Sequence, residues 1–538
     1  MKYSVTAARR YACLMIAPVL LVAGGSCTSL TEVPHDALTT ENAFKSDAEI
    51  TAGVAGVYST LRAVEQNNSF AALEELTTDM LIVPTRGSDW YDNGQWLDIH
   101  RQTWTANSSG TLNFMNNAWN DIFGAVAKSN LLIDVITKAG SGAKGDSTIA
   151  ELRTFRAWDY YMLTAMFGGV PLVTSTELKQ YPRVARDSVF RFIEAELLAS
   201  KDKLPAKRDA SSSGRLTSGA ANAILASLYL NAGVFGKNSG VSGSSYNSCM
   251  AINVSGGKNG CQAAVDAANA VINSGVYTLN STWSQNFSTT NKNSPENIFV
   301  VVHVAEQGLG GNWPMRTLHY NQLSTGWGGP WNGFATTAET FNKFSASDER
   351  RDMWLFGQQK SFQNGQPVND RNSKPLVFTA AIADANAANE AEGVRFNKFP
   401  PLPNAPTGNS HPNDYPFFRL AEMYLIRAEA QNEMGKSAAA IADLALIHDR
   451  HDKVSTTAMM DLTSQAKIRD AILNERLLEF AAEGKRRSDQ IRHGKFLSWT
   501  EASKNGVANA PRDARFLLFP IPAPQLASNP LLTQNAGY

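Results

Sequence analysis

Cysteine is scarce in this 538-residue chain: Cys13, Cys27, Cys249 and Cys261 are all there is, which argues against a cysteine-built metal site. Charge of one sign is not in excess either. Lysine plus arginine equals aspartate plus glutamate at 49 each, so no net field draws the protein to nucleic acid or anionic lipid. Histidine is thin, with eight residues, and no HExxH zinc motif or GxSxG nucleophile elbow occurs. Apolar residues 14–23 form a run too short to cross a bilayer. Neither a metal nor a cofactor is expected from these patterns.

What remains is a long chain able to bury a large core in two or more domains. Eleven tryptophans and 39 glycines, with many Asn-Gly-Ser stretches, point to long surface loops that carry aromatic rings. Residues 1–26 read as an export signal, with Lys2, Arg9 and Arg10 ahead of the apolar run. It ends in Gly24-Gly25-Ser26-Cys27, which resembles a lipoprotein cleavage site with Cys27 as the lipidated residue; plain secretion with cleavage after Ser26 is the alternative. An exported chain meets oxidising conditions, so the remaining pair, Cys249 and Cys261, is expected to form a disulfide.

Apolar spacing of three and four predicts helices over residues 41–64, 113–139, 149–166, 187–200 and 218–232. In the last, Ala220, Ala221, Ala223 and Ala226 allow close approach to a neighbour. Residues 236–260 read as a Ser-, Gly- and Asn-rich loop, 298–304 as a strand, and 370–406 as polar loop. Helical order returns from residue 417, with a turn at Gly435-Lys436 and a second helix. The segment AKIRDAILNERLLEFAAEGKRRSDQIR, residues 466–492, reads as a helix whose Glu475, Glu479 and Glu483 form an acidic row suited to arginines of a neighbouring helix. Gly484 reads as its C-cap, followed by more helix. We divide the chain into a signal (1–26), an N-terminal helical region (27–235), a loop-rich insertion (236–300) and a C-terminal region (301–538).

Two stretches fit no period. One holds Arg86, Trp90, Tyr91, Asp92 and Trp96; the other holds Trp313, Tyr320, Trp327, Trp331 and Asn332. Aromatic faces beside planar polar groups suit sugars, whose C–H faces stack on rings while their hydroxyls need hydrogen-bond partners. The competing reading packs these rings into the core. A hydrolase would need a carboxylate pair, and Glu74, Glu75, Asp79, Asp89 and Asp92 offer candidates, but no fixed spacing identifies one.

The order Glu475-Arg476, Glu479-Phe480, Glu483-Gly484, Arg486-Arg487, Asp489, Arg492 resembles the signature helix of the SusD/RagB family. Arg419, Tyr424, Arg427, Ala428, Glu429 and Ala430 match its C-terminal motif, and LFPIPAPQLASNPLLTQNAGY closes the chain as the family does. The resemblance implies a mainly α fold, a tetratricopeptide-like helix-pair scaffold with long loops and a few short strands. It implies a lipid-anchored, surface-facing outer-membrane lipoprotein that is not an enzyme, binds oligosaccharides and delivers them to a TonB-dependent (SusC-like) barrel transporter. Some relatives handle peptides instead. In the family the insertions between helix pairs gather on one face, so the two aromatic stretches are expected to share a ligand platform.

Overall fold

A computed structural model describes residues 44, 46–140, 142–209, 212–326, 328–499 and 511–538. The signal segment, Cys27 and Trp327 lie outside the described residues. The fold is mainly α, and its spine is a row of helices each packed on the next. Ser109–Ala139 buries Phe114, Met115, Ala118, Trp119, Ile122, Ala125 and Val126 at helical spacing and packs along Gly142–Phe167. The second helix packs on Arg186–Ser200, and that one on Ser218–Leu230. Beyond these lie Gly260–Ile272, Leu420–Glu433, Ser437–His448 and Gln465–Glu479, each in contact with its predecessor or with Leu420–Glu433. Residues 44–538 cluster as one unit.

Four departures from the sequence reading have clear causes. Residues 41–64 do not run as one helix: among the described residues Asp47–Tyr58 ends at Ser59, and a short helix, Leu61–Val64, follows. Gly260–Ile272 is a helix within the segment divided off as a loop-rich insertion, 236–300. Asn259 caps it by accepting from the Gln262 amide at 2.9 Å, and its buried face is built from Ala263, Ala264, Ala267 and Ala268. Val265 and Val271 share that face; the Gly-, Ser- and Asn-rich stretch just before it is what makes the segment read as loop. Residues Tyr415–Arg419 are a strand, antiparallel to Asn297–Val301, where helix was expected from residue 417. The strand runs straight into Leu420–Glu433, with Arg419 as an extended N-cap residue.

The fourth departure concerns the acidic row. Gln465–Glu479 stops at the Phe480 C-cap, so Glu483 sits in the turn that follows, where Ala482 and Gly484 take φ of +58° and +71°. Gly484 therefore shapes the entry to the next helix, Arg486–Arg492, and does not cap the first. The row does collect arginines, but not from a neighbouring helix. Arg350, in a 3-10 turn, donates to Glu475 at 2.6 Å and Glu479 at 3.0 Å. Arg419, at the strand end, donates to Glu479 at 2.9 Å, Glu483 at 2.9 Å and Glu296 at 2.7 Å. All of these groups are buried. Burial opposes ionisation of Glu479, but Arg419, His451 and Arg350 together hold its carboxyl well below the usual range.

The basic end of the same segment is buried too, and it ties distant parts of the chain together. Arg486 forks onto Asp79 at 2.7 and 2.8 Å. Arg492 forks onto Glu429 at 2.6 and 2.8 Å and also donates to Asp489 at 2.8 Å. Arg487 donates to the carbonyls of Ala165 and Leu517, at 3.0 and 2.8 Å. In the middle of the helix row, Cys261 of Gly260–Ile272 is joined to Cys249 in a disulfide with Cα atoms 4.9 Å apart.

Removing one member of such a network strands its partners in low dielectric. Arg419→Met should cost about 3–5 kcal/mol in urea unfolding followed by tryptophan fluorescence, whereas removing the exposed Lys138–Asp134 pair should change nothing measurable. Glu75 gives a pH signature. Burial pushes its carboxyl up to about 8, although it accepts from the Gly484 amide. For an acid whose folded value lies above its unfolded value, stability is lost as pH rises between the two. Glu75→Gln should therefore be more stable than the parent at pH 9, with the difference closing as pH falls from about 8 toward 4.5, which melting curves across that range would check.

Candidate functional site

The two aromatic stretches meet because a short bridge pins their ends. Ile82 and Ala335 exchange backbone hydrogen bonds at 2.9 Å each, which lays residues 84–96 beside residues 331–334. Arg86 then crosses between them, its Nε donating to the Asn332 carbonyl at 3.0 Å and its Nη2 to the Glu392 carbonyl at 2.9 Å. Asn332 is fully buried and accepts from Arg395 Nε at 2.9 Å while donating to the Glu390 carbonyl at 3.1 Å. Burial brings the Arg86 guanidinium down to about 10. Arg86 and Asn332 are thus the frame under the site, out of reach of a ligand.

Above that frame the backbone is forced into left-handed conformations. Trp90, Asp92 and Asn93 take φ of +60°, +37° and +56°, which a bulky side chain adopts only where its surroundings compel it. Trp90 is held by its indole N–H, which donates to the Trp331 carbonyl at 2.6 Å, and by edge contact with Trp96 at 5.0 Å. Its ring lies so close over Gly333 that a Cβ there would come within 2.4 Å of Cζ2, so only glycine fits. Trp96 begins a helix, Gln95–Arg101, that sequence periodicity did not reveal. It is buried against Phe114 at 5.0 Å, and its N–H donates to Asp92 at 2.7 Å.

Trp313 is also core. It sits on the short helix Trp313–Thr317, stacked on Phe399 and Tyr415 with ring centroids 5.6 and 6.1 Å away. The structure therefore brings the two loops together but divides their aromatic residues. Trp96 and Trp313 pack inward, Trp90 is the half-buried wedge, and Tyr91, Trp331 and Tyr320 reach the surface, Tyr91 with 56% of its area exposed. Asp92 is exposed beside Tyr91.

One residue that sequence reasoning passed over completes this face. Arg371, in the stretch read as polar loop, lies over the Tyr320 ring at 4.1 Å and pairs with Asp89 at 3.1 Å and with Glu390. Tyr320 donates its hydroxyl to Asp89 at 2.5 Å, and burial together with that bond pushes the phenol up to about 12. No local pattern could have singled out Arg371, since its partners lie far away along the chain. The result is a patch with aromatic faces, one guanidinium and several carboxylates at the protein surface. Among the described residues no cluster of three or more His, Cys, Asp or Glu could hold a metal ion.

Residues 268–538 match the family model described as SusD family, and residues 31–230 match one described as starch-binding associating with outer membrane. SusD-like protein P2 of Formosa agariphila is 26% identical over 548 residues, spanning 97% of this chain and 98% of that one. Starch-binding protein SusD of Bacteroides thetaiotaomicron is 34% identical over 131 residues, 23% of this chain and 22% of that one. Among solved structures, a laminarin-binding SusD-like protein superposes with a TM-score of 0.69 at 21% identity, covering 92% of this chain and 100% of that one. NanU of B. fragilis gives 0.69 at 20% identity, covering 94% and 99%.

The inward and outward tryptophans should separate in stability measurements. Trp96→Ala removes a buried ring and should cost about 3–5 kcal/mol. Trp331→Ala leaves the carbonyl that holds Trp90 in place and should cost about 1 kcal/mol or less. Chemical unfolding of the two variants beside the parent checks both.

Proposed function

The chain belongs to the SusD family, and from that premise we propose that it binds oligosaccharides on the face formed by Tyr91, Trp331, Tyr320 and Arg371. The observation that carries this reading is the joining of two loops, far apart in sequence, through the Trp90 N–H to Trp331 carbonyl bond, with Tyr91 left open to solvent. Sugar rings stack on the aromatic faces. Arg371, Asp89 and Asp92 supply hydrogen bonds that fix which hydroxyl pattern is accepted, because an unmatched polar group there costs more than a matched one gains. Trp327 belongs to the same proposal but lies outside the described residues. Trp96, Trp313, Arg86 and Asn332 serve it from beneath, as supports.

The site binds without chemistry in this reading, and the protein is not an enzyme. The rest of the proposal follows the family: Cys27 carries a lipid that anchors the protein to the outer membrane, facing outward, and the bound glycan passes to a TonB-dependent, SusC-like barrel. Helix rows of this kind present broad rigid surfaces on which a barrel partner can dock. Co-purification with a barrel protein after mild detergent extraction supports the partner; its absence counts against it.

Glycan-array screening with protein that starts after Cys27 identifies the ligand. Tyr91→Ala and Trp331→Ala should then each weaken binding about fivefold, as expected for one ring worth ~1 kcal/mol. For a neutral glycan, affinity should hold between low and high salt, since charge attraction does not drive it. Folded variants that bind as tightly as the parent would remove this face from consideration.

A further inference from the structure

A cavity of about 700 Å³ opens at the start of the Arg186–Ser200 helix and shares no residue with the aromatic loops. Four cations line it, Arg183, Arg186, Lys237 and Arg515, against a single carboxylate, Asp513. Two of these groups are already committed. Arg183 donates to the Gly169 carbonyl at 2.7 Å and the Thr533 carbonyl at 3.0 Å, and Asp513 accepts from the Arg515 amide at 2.8 Å.

Arg186 is different. It is only 7% exposed, its Nε has no hydrogen-bond partner, and no carboxylate pairs with it. It lies over the face of Phe235, at 5.0 Å. Burial, reinforced by the nearby Arg487, lowers its guanidinium to about 9. By contrast, Arg350, Arg419, Arg486 and Arg492 all meet carboxylates when buried. An unpaired buried guanidinium is costly, and this one borders open space large enough for a ligand.

The backbone adds to the same field. Arg186 opens a helix of 15 residues whose N-cap, Ala185, has no accepting side chain; the Asn238 side chain accepts from the Asp187 amide at 3.0 Å instead, and Asp187 places a carboxylate in the first turn. Ala185 and Asn238 line the cavity, so the helix end borders it with its field partly met.

We propose that this cavity is an anion site that takes an oxoanion group, a carboxylate or sulfate, either free or carried on an acidic sugar. Arg186 supplies the charge-assisted hydrogen bonds and Lys237 the charge at the rim. This assignment is independent of the aromatic face.

Thermal unfolding and calorimetric titration with sodium sulfate, with galacturonate and with galactose, at ionic strength held constant by chloride, test it. Sulfate or galacturonate should raise the melting temperature while galactose does not. A response to galacturonate alone assigns the group to a sugar acid; a response to sulfate assigns it to the oxoanion itself. Arg186→Gln should weaken binding about tenfold or more with a ligand-free melting temperature equal to or above the parent's, because it removes an unpaired buried charge. Should that variant fail to fold, Lys237→Ala carries the test through a several-fold loss of affinity. No shift with either anion in the parent, or equal shifts in parent and variant, would overturn the proposal.

Discussion

The structure depends on keeping a set of ionised groups dry and fully paired at the meeting point of a helix, a strand end and two turns. Glu475, Glu479 and Glu483 would be intolerable in a core on their own. They are stable there because Arg350, Arg419 and Lys398 arrive from three other places in the chain. A buried pair of this kind gives little net stability compared with well-packed apolar residues, but it tolerates no near miss in geometry. Its contribution is therefore registration. The strand Tyr415–Arg419, the turn bearing Arg350 and the end of Gln465–Glu479 can sit in one mutual arrangement and no other.

That rigidity is what allows the aromatic loops to be irregular. Trp90 with positive φ, Gly333 beneath it and the exposed Tyr91 form a strained, specific surface that would relax if its foundations moved. Arg86 and Asn332 transmit the fixed position of residues 390–395 into the loop. The division of labour is physical: buried hydrogen bonds define the backbone, and the side chains left over face solvent.

Much of this was legible in the sequence, and the reasons differ by residue. Ser109–Ala139 announces itself because Trp119, Ile122 and Val126 contrast sharply with their polar neighbours. Gly260–Ile272 was obscured by the Gly-, Ser- and Asn-rich stretch that leads into it, although Val265 and Val271 mark its buried face. Tyr415–Arg419 was hidden by the continuity of strand into helix, with no turn residue to mark the change. At the site, the two aromatic clusters stood out by composition, but Trp96 and Trp331 are indistinguishable as letters. Trp96 turns inward onto Phe114 and Phe334, neither of which lies in a local window around it.

The pairing of the first third of the protein with its last tenth constrains the order in which the molecule can be completed. Asp79 receives Arg486 and Gln490, and Glu75 receives the Gly484 amide, across more than 400 positions of chain. Asp79 also pairs with Lys343 at 2.9 Å, so without residues 484–490 it keeps one of its partners while Glu75 loses the Gly484 amide. The turn at Gly484 and the helix Arg486–Arg492 thus hold in place segments that precede them by hundreds of residues, contacts whose long chain separation makes them slow to form.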